Sequence, residues 1–256
     1  MIKNAKKKNR FIKDPVHGYI FINSLEKELI DNKYFQRLRR IKQLSGSEYV
    51  YPGANHTRFE HSLGVKFLAE KMARSLQNDE HTDISEHEIN LVKTAGLLHD
   101  IGHGPFSHTF EALLAKNGKH HEDLSTWIIR NSVIKDILQD NGLKVDVVCG
   151  LIAEAKTIKN KHYLNQIISS SCDTDKMDFI MRDTYHTGAE YGNIDIMRIL
   201  YTMGVIEGNL AVNYSALQAL EAFLIARVES FRTIYFHKVS RGSQLMVVKA
   251  MEQADE

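Results

Sequence analysis

Cysteine is nearly absent from this 256-residue chain: Cys149 and Cys172 show no Cys-x-x-Cys spacing, which gives no disulfide framework and fits a reducing compartment. No purely apolar stretch approaches the roughly 20 residues that cross a bilayer, so no membrane partner is expected. Behind the basic cluster Lys6-Lys7-Lys8 there is no apolar run, and residues 1–10 read as a flexible basic N-terminus and not as a secretory signal. Net charge is lacking too. Lys plus Arg (33) almost cancels Asp plus Glu (32), so the overall +1 makes a nucleic-acid partner unexpected. With no internal repeat and no low-complexity linker, the chain is expected to be a soluble cytoplasmic protein with a single domain over residues 11–256. Its 43% hydrophobic content can fill a sizeable core.

What is present is mostly helical pattern. Phe11 to Asn23 alternates about Asp14-Pro15-Val16-His17-Gly18 and predicts a short β-hairpin. Asn23 with Glu26 resembles a capping box that opens a helix through about Asp31, and a second helix is predicted from Tyr34 to Leu44. After a loop from Ser45 to Asn55, a helix from about Thr57 to Leu76 carries Phe59, Leu63 and Met72 on one stripe, with Arg58 and His61 sharing another face. Ser85 and Glu88 cap the next helix, which runs to Leu98. Further helices are predicted over 107–116, 121–131, 133–139, 145–155, 163–169, 173–185 and 194–203. Val205 to Val212 reads as a second hairpin around Gly-Asn, and a long helical pattern starts at Ser215 and runs towards the C-terminus. The fold class is therefore all-α, with two small β-hairpins.

The densest chemistry lies between Leu98 and His108, where His99, Asp100, His103 and His108 are punctuated by Gly102, Gly104 and Pro105. A helix carrying His99 and Asp100 is expected to stop at Gly102, which gathers these side chains at a helix end. Imidazole and carboxylate together suit a divalent ion of the first transition row or Mg. Taken alone, His61 reads as a satisfied core or surface histidine, and Asp175 reads as an N-cap or a solvated acid. Their co-occurrence with the glycine-punctuated loop and a nearby Arg58 points instead to an open site for phosphoester chemistry.

The order His61, His99-Asp100, Asp175 resembles the H…HD…D signature of the HD-domain metal-dependent phosphohydrolases. Tyr51-Pro52-Gly53-Ala54-Asn55-His56-Thr57-Arg58-Phe59-Glu60-His61-Ser62-Leu63-Gly64 is similar to the equivalent segment of the deoxynucleoside triphosphate triphosphohydrolases, both the vertebrate enzymes that join a SAM to an HD domain and the bacterial dGTPase-like proteins. The likeness runs from about Phe11 to the last helix. It implies HD-domain helical architecture, with the C-terminal lobe of the vertebrate relative absent from these residues.

Carried over to this chain, the resemblance implies that His61, His99, Asp100 and Asp175 hold one divalent transition metal (Mn, Fe, Zn or Ni), with Mg accompanying the nucleotide. Arg58 then matches a phosphate-binding arginine, a task for which a guanidinium is well shaped. His103, His108, Glu111 and His121 match polar groups near the scissile bond, one histidine of which would protonate the leaving 5′ oxygen. Gln43 and Leu44 match the pair that reads deoxyribose and rejects a 2′ hydroxyl, and Asp183 matches a sugar-binding aspartate. Phe179 stands where the relatives carry tyrosine, which removes a hydroxyl hydrogen bond. Lys176, Arg227, Tyr235 and His237 match phosphate- and base-side residues, while Tyr235 and Phe231 also read as core aromatics.

The implied reaction hydrolyses a dNTP to deoxynucleoside and inorganic triphosphate. A homo-oligomer, dimer or tetramer, is expected. In the regulatory region of the mammalian relative, Asp31 and Arg39 match, whereas Lys13 and Tyr19 replace an Asn and a His. The alternatives are an HD-domain nucleotidase or nuclease acting on another phosphoester, and a non-catalytic nucleotide-binding module.

Overall fold

A computed structural model of the chain describes residues 10–80, 82–106, 111, 114–116, 118–153, 158 and 161–255. Of the N-terminus expected to be flexible, Arg10 already belongs to a strand and the rest lies outside the described residues. The first hairpin pairs β1 (Arg10–Asp14) antiparallel with β2 (Gly18–Ile22), Phe11 opposite Phe21 and Ile12 opposite Ile20. Asp14 closes the turn by accepting the backbone N–H groups of Val16 and His17. Ile20 and Ile22 go to the core, and Phe11, Tyr19 and Phe21 stay exposed.

Asn23 and Glu26 form the expected capping box at the start of α1 (Ser24–Asp31). The helix predicted over Tyr34–Leu44 is much shorter. It consists of α2 (Lys33–Gln36) and a 3-10 turn (Arg37–Arg40), after which Ile41 is extended. Backbone pairing across the chain replaces helical bonds here: Gln43 N–H donates to His56 O at 3.0 Å and Arg58 N–H to Ile41 O at 2.9 Å. That exchange sets Gln43 and Leu44 beside the start of α3 (Arg58–Gln77), whose N-cap Thr57 and Glu60 form another capping box.

The helix α4 (Glu86–Leu98), boxed by Ser85 and Glu88, lies along α3, and Gly96 allows the approach, since a Cβ there would meet Ala69 and the Val65 carbonyl at 3.3 and 3.4 Å. Then come α5 (His121–Arg130), α6 (Val133–Asp140), α7 (Val145–Ile152), α8 (Tyr163–Gln166), α9 (Thr174–Thr187) and α10 (Ile196–Thr202). The helix predicted over 107–116 lies largely outside the described residues, as do 154 and 155 of the one predicted to reach Ala155.

The second hairpin joins β3 (Met203–Ile206) to β4 (Asn209–Val212). Glu207 and Gly208, both with positive φ, make its turn, one residue earlier than the expected Gly-Asn. The long pattern from Ser215 is not one helix. It divides into α11 (Leu217–Ser230), a π-helical turn (Phe231–Tyr235) and α12 (Lys238–Asp255). The core gathers Leu63, Leu68 and Met72 of α3, Ile89 and Val92 of α4, and Ile180 of α9. Buried charge within it is compensated, with Glu26 Oε1 3.2 Å from Lys66 Nζ and 3.0 Å from Lys93 Nζ. Among the described residues, no helix is long and apolar enough to cross a membrane.

Candidate active site

Three helices converge on one point. His61 comes from the second turn of α3, Asp175 from the first turn of α9, and His99 ends α4 as its C-cap, with Asp100 next in the chain. One ligand atom from each of His61, His99 and Asp175 lies within 4.8 Å of the others. His61 Nε2 is 2.9 Å and His99 Nε2 3.7 Å from Asp175 Oδ1, and the same nitrogens are 3.7 and 3.3 Å from the oxygens of Asp100. The helix end expected at Gly102 comes slightly earlier, at Leu98, and turns Asp100 towards the histidines.

The histidine protons are placed by the other ring nitrogens. His99 Nδ1 donates to Gly96 O at 2.8 Å, and His61 Nδ1 donates to Asp178 Oδ2 at 2.8 Å. Each buried Nε2 is thus the nitrogen turned to the two carboxylates, able to offer a lone pair to a cation that displaces its proton. Two such nitrogens and two carboxylates facing one another at these distances fit a cation, so the donor set suits a divalent metal.

Asp178, which carries this arrangement for His61, is a site residue that the sequence reading left outside the ligand set. Arg182 donates from Nε to Asp178 Oδ2 and from Nη1 to Asp14, both at 2.8 Å, and His17 Nε2 lies 2.6 Å from Asp178 Oδ1. Arg182 and Asp178 are fully buried, at 0% exposure. Gly64 makes room for them, because a Cβ there would stand 1.8 Å from Asp178 Oδ1. The spacing of Asp178 three residues after Asp175, on one helix face, was the available signal.

Electrostatics follow the charge count. Burial opposes protonation of His61, but Asp175, Asp178 and Asp100 outweigh it and raise its pKa to about 10. The same contest, led by burial and won by Asp100 and Asp175, raises His99. Burial disfavours the Asp100 anion, yet Arg58 and the neighbouring histidines hold it well below the ordinary range. Asp175 is likewise held far down by His61 and His99 against its burial.

Arg58, at the N-terminus of α3, donates from Nη1 to Asp100 Oδ2 at 2.5 Å. His103 Nε2 is 3.2 Å from Asp100 Oδ1, and its ring stacks on His121 with centroids 4.0 Å apart. The two imidazoles are driven apart in acidity. Burial and the charge of Arg58 push His103 down to about 3, whereas His121, despite burial, is raised by Glu111, whose Oε1 lies 2.7 Å from its Nδ1. His108, expected in the same group, lies outside the described residues.

A cavity of about 410 Å³ opens from this cluster. Arg58, His99, Asp100, His103, His121 and Asp175 line one part, and Gln43, Leu44, Phe179, Asp183 and Tyr235 line another. Asp183 is bonded at both oxygens, by Tyr235 Oη at 2.5 Å and by His56 Nε2 at 2.7 Å. The break in the last long helix brings Phe236, Arg241 and Gln244 into the wall, where Gln244 Nε2 donates to Ser45 O at 2.9 Å; their distant sequence positions gave no signal.

Lys176, Arg227 and His237 do not line the cavity. Lys176 Nζ pairs with the helix-capping Asp173 at 2.6 Å, Arg227 donates to Ser171 O at 3.4 Å, and the His237 ring lies 6.3 Å from that of Tyr51. Of the two residues that match a regulatory region, Arg39 covers the Phe59 ring at 3.6 Å and Asp31 pairs with Lys27, while at the two positions that depart from it Lys13 lies over Tyr19 at 4.2 Å.

Comparison with known proteins agrees with this geometry. The family description "HD domain" matches residues 58–180 and "HD associated region" matches residues 194–256. An uncharacterised protein of Methanocaldococcus jannaschii is 37% identical over 246 residues, which are 94% of this chain and 49% of that protein. The Gallus gallus deoxynucleoside triphosphate triphosphohydrolase SAMHD1 is 35% identical over 276 residues, 94% of this chain and 45% of that one. The chain thus spans about half the length of the curated relatives it matches. The crystal structure of a hypothetical protein from Aquifex aeolicus superposes with a TM-score of 0.86 at 37% identity, covering 96% of this chain and 65% of that one. With both descriptions matched in order and the H…HD…D residues gathered at one point, the chain belongs to the HD-domain family.

Proposed function

We propose that this chain hydrolyses deoxynucleoside triphosphates to the deoxynucleoside and inorganic triphosphate, using a divalent transition metal held by His61, His99, Asp100 and Asp175. The carrying observation is that His99, Asp100 and Asp175 of this donor set, with Arg58 and the pair Gln43 and Asp183, line one cavity of about 410 Å³, within the size range of small-molecule sites, and that His61 joins His99 and Asp175 in one cluster beside it. The relatives named as dNTP triphosphohydrolases lend the reading further support. A divalent ion, when bound, supplies Lewis-acid chemistry: it polarises phosphoryl oxygens and lowers the pKa of water.

The chain's own residues supply the rest. Arg58 stabilises the negative charge that grows on the phosphoryl oxygens, which in a water-poor site is a large catalytic contribution. Water adds to the α-phosphorus, the bond to the 5′ oxygen breaks, and that oxygen takes up a proton. Among the described histidines, His121 suits this donation, because Glu111 stabilises its protonated form while His103 is held neutral. At the sugar, Gln43 offers a buried side-chain oxygen that has no hydrogen-bond partner, and Leu44 offers bulk against a 2′ hydroxyl. Phe179, one turn after Asp175, presents a ring for stacking.

The expected setting is a soluble cytoplasmic homo-oligomer with no membrane or nucleic-acid partner. Incubation with Mn²⁺ and each dNTP, followed by anion-exchange chromatography, tests the chemistry. Inorganic triphosphate is expected, and it should vanish in Asp175→Ala. Orthophosphate or pyrophosphate as the sole inorganic product, or no product with any metal, contradicts the proposal.

A further inference from the structure

His56, on the loop that leads into α3, is buried at 2% exposure and does not line the cavity. Its Nε2 lies 2.7 Å from Asp183 Oδ1, and a ring nitrogen that close to a carboxylate carries the proton and donates it. Tyr235 donates its hydroxyl to the other oxygen at 2.5 Å. The carboxylate therefore has one donor per oxygen, and the two donors come from segments almost 180 residues apart. The ring of His186 stacks on His56 with centroids 4.5 Å apart and planes 17° from parallel. His186 and Asp183 both belong to α9, so the helix that carries the carboxylate also carries the ring that backs its donor. Gly53 holds the loop there, for a Cβ at that position would come within 2.3 Å of the His186 carbonyl oxygen.

A carboxylate bonded at one oxygen can still turn about its side-chain bond, whereas one bonded at both is fixed. Each carboxylate oxygen accepts more than one hydrogen bond, so Asp183 keeps acceptor capacity while facing the cavity. Gln43 Oε1, also on the cavity wall, has no hydrogen-bond partner. Two acceptors in one pocket, one of them held at both oxygens, call for a donor on the ligand, and a sugar hydroxyl is such a donor.

We propose that His56 is a positioning residue that fixes Asp183 to accept a hydrogen bond from the 3′ hydroxyl of a bound nucleotide, and so sets the preference of the pocket for 3′-hydroxylated substrates. The proposal rests on the dNTP reading above. It predicts a change in selectivity and not merely a loss of rate, since the residue touches Asp183 and not the ligand cluster.

The test compares kcat/KM for dGTP and 2′,3′-dideoxyguanosine triphosphate with Mn²⁺ in the full chain. The wild-type preference for dGTP should be about tenfold or more and should fall about fivefold or more in His56→Ala, with partial recovery in His56→Gln, which retains a donor. A wild-type ratio in His56→Ala, with both substrates slowed alike, overturns the proposal. Should the alanine variant fail to fold, His56→Phe keeps a ring against His186 without the donor; a reduced ratio supports the role and an unchanged one overturns it. If the wild type hydrolyses neither compound, the dNTP reading fails by itself, and equilibrium binding of the same two nucleotides then decides. Preferential dGTP binding that weakens in the variants supports positioning by His56, and equal wild-type binding of the two overturns it.

Discussion

Asp178 Oδ2 lies 2.8 Å from His61 Nδ1, and this contact decides which nitrogen of His61 faces the ligand cluster. Arg182 and His17 hold the carboxylate from behind. Asp178→Asn keeps the shape of the side chain but removes its charge and leaves the amide free to present N–H to His61. Metal affinity should fall about 10–100-fold, as for other residues that orient a metal-bound histidine. A chelator-competition titration with Mn²⁺ measures it, and wild-type affinity would contradict the assignment.

Metal binding should release protons. In the metal-free protein His61 has its pKa raised to about 10, so at neutral pH it carries a proton that a cation must displace. The sign follows directly: binding competes with protonation, so affinity rises with pH below that value. Calorimetric titration in buffers of different ionisation enthalpy counts the protons released. A count of zero at pH 7 would contradict a protonated His61 in the metal-free protein.

Glu111 should set the alkaline limb of the activity profile. Burial lowers His121, but the carboxylate of Glu111 more than offsets this and raises it above the ordinary histidine value. If protonated His121 donates to the leaving oxygen, activity is lost as pH rises through that raised pKa. In Glu111→Gln the loss should begin at lower pH, so that kcat on the alkaline side falls below that of the wild type. A kcat profile whose alkaline limb does not move would assign proton transfer elsewhere.

Gly64→Ala tests the packing behind the metal ligands without touching one. The added Cβ would meet Asp178 Oδ1 at 1.8 Å and Arg182 Nη2 at 2.5 Å, both fully buried. The carboxylate must shift, and His61 with it. Loss of bound metal together with a lower Tm is the expected result, read by metal analysis and scanning calorimetry. Wild-type metal content would show that the pair can relax.

The readable parts of the fold are those encoded in neighbouring residues. Asn23 with Glu26 and Ser85 with Glu88 each satisfy helix-terminal N–H groups within a few positions, and both boxes form. Both hairpins also form, though Glu207-Gly208 and not Gly208-Asn209 makes the second turn. Periodicity misled where long-range partners competed. The stripe from Phe35 to Leu44 fits a helix, but Ile41 and Gln43 bond instead to the strand-like segment before α3, and the apolar pattern after Ser215 hides a π-helical turn and a break. Of the residues that the fold gathers at the candidate site, His99 and Asp100 stood out by type and by the glycine-punctuated loop beside them, while His61, Asp175 and Arg58 were singled out through the resemblance to the HD-domain family. Lys176, by contrast, is drawn to Asp173, a local partner, and stands away from the cavity.

The sequence by itself determined the helical character and the helix caps, since each depends on side-chain type and on contacts within a few positions, and its resemblance to a known family singled out His61, His99, Asp100 and Asp175 as candidate ligands. Tertiary structure alone decided what holds those ligands in register. His17 reaches Asp178 across 161 residues, His56 reaches Asp183 across 127, and Arg182 reaches Asp14 across 168. No spacing rule specifies such pairs. They form because packing buries the charged groups together, and buried charges are tolerated only where each finds a partner of opposite sign or a hydrogen bond.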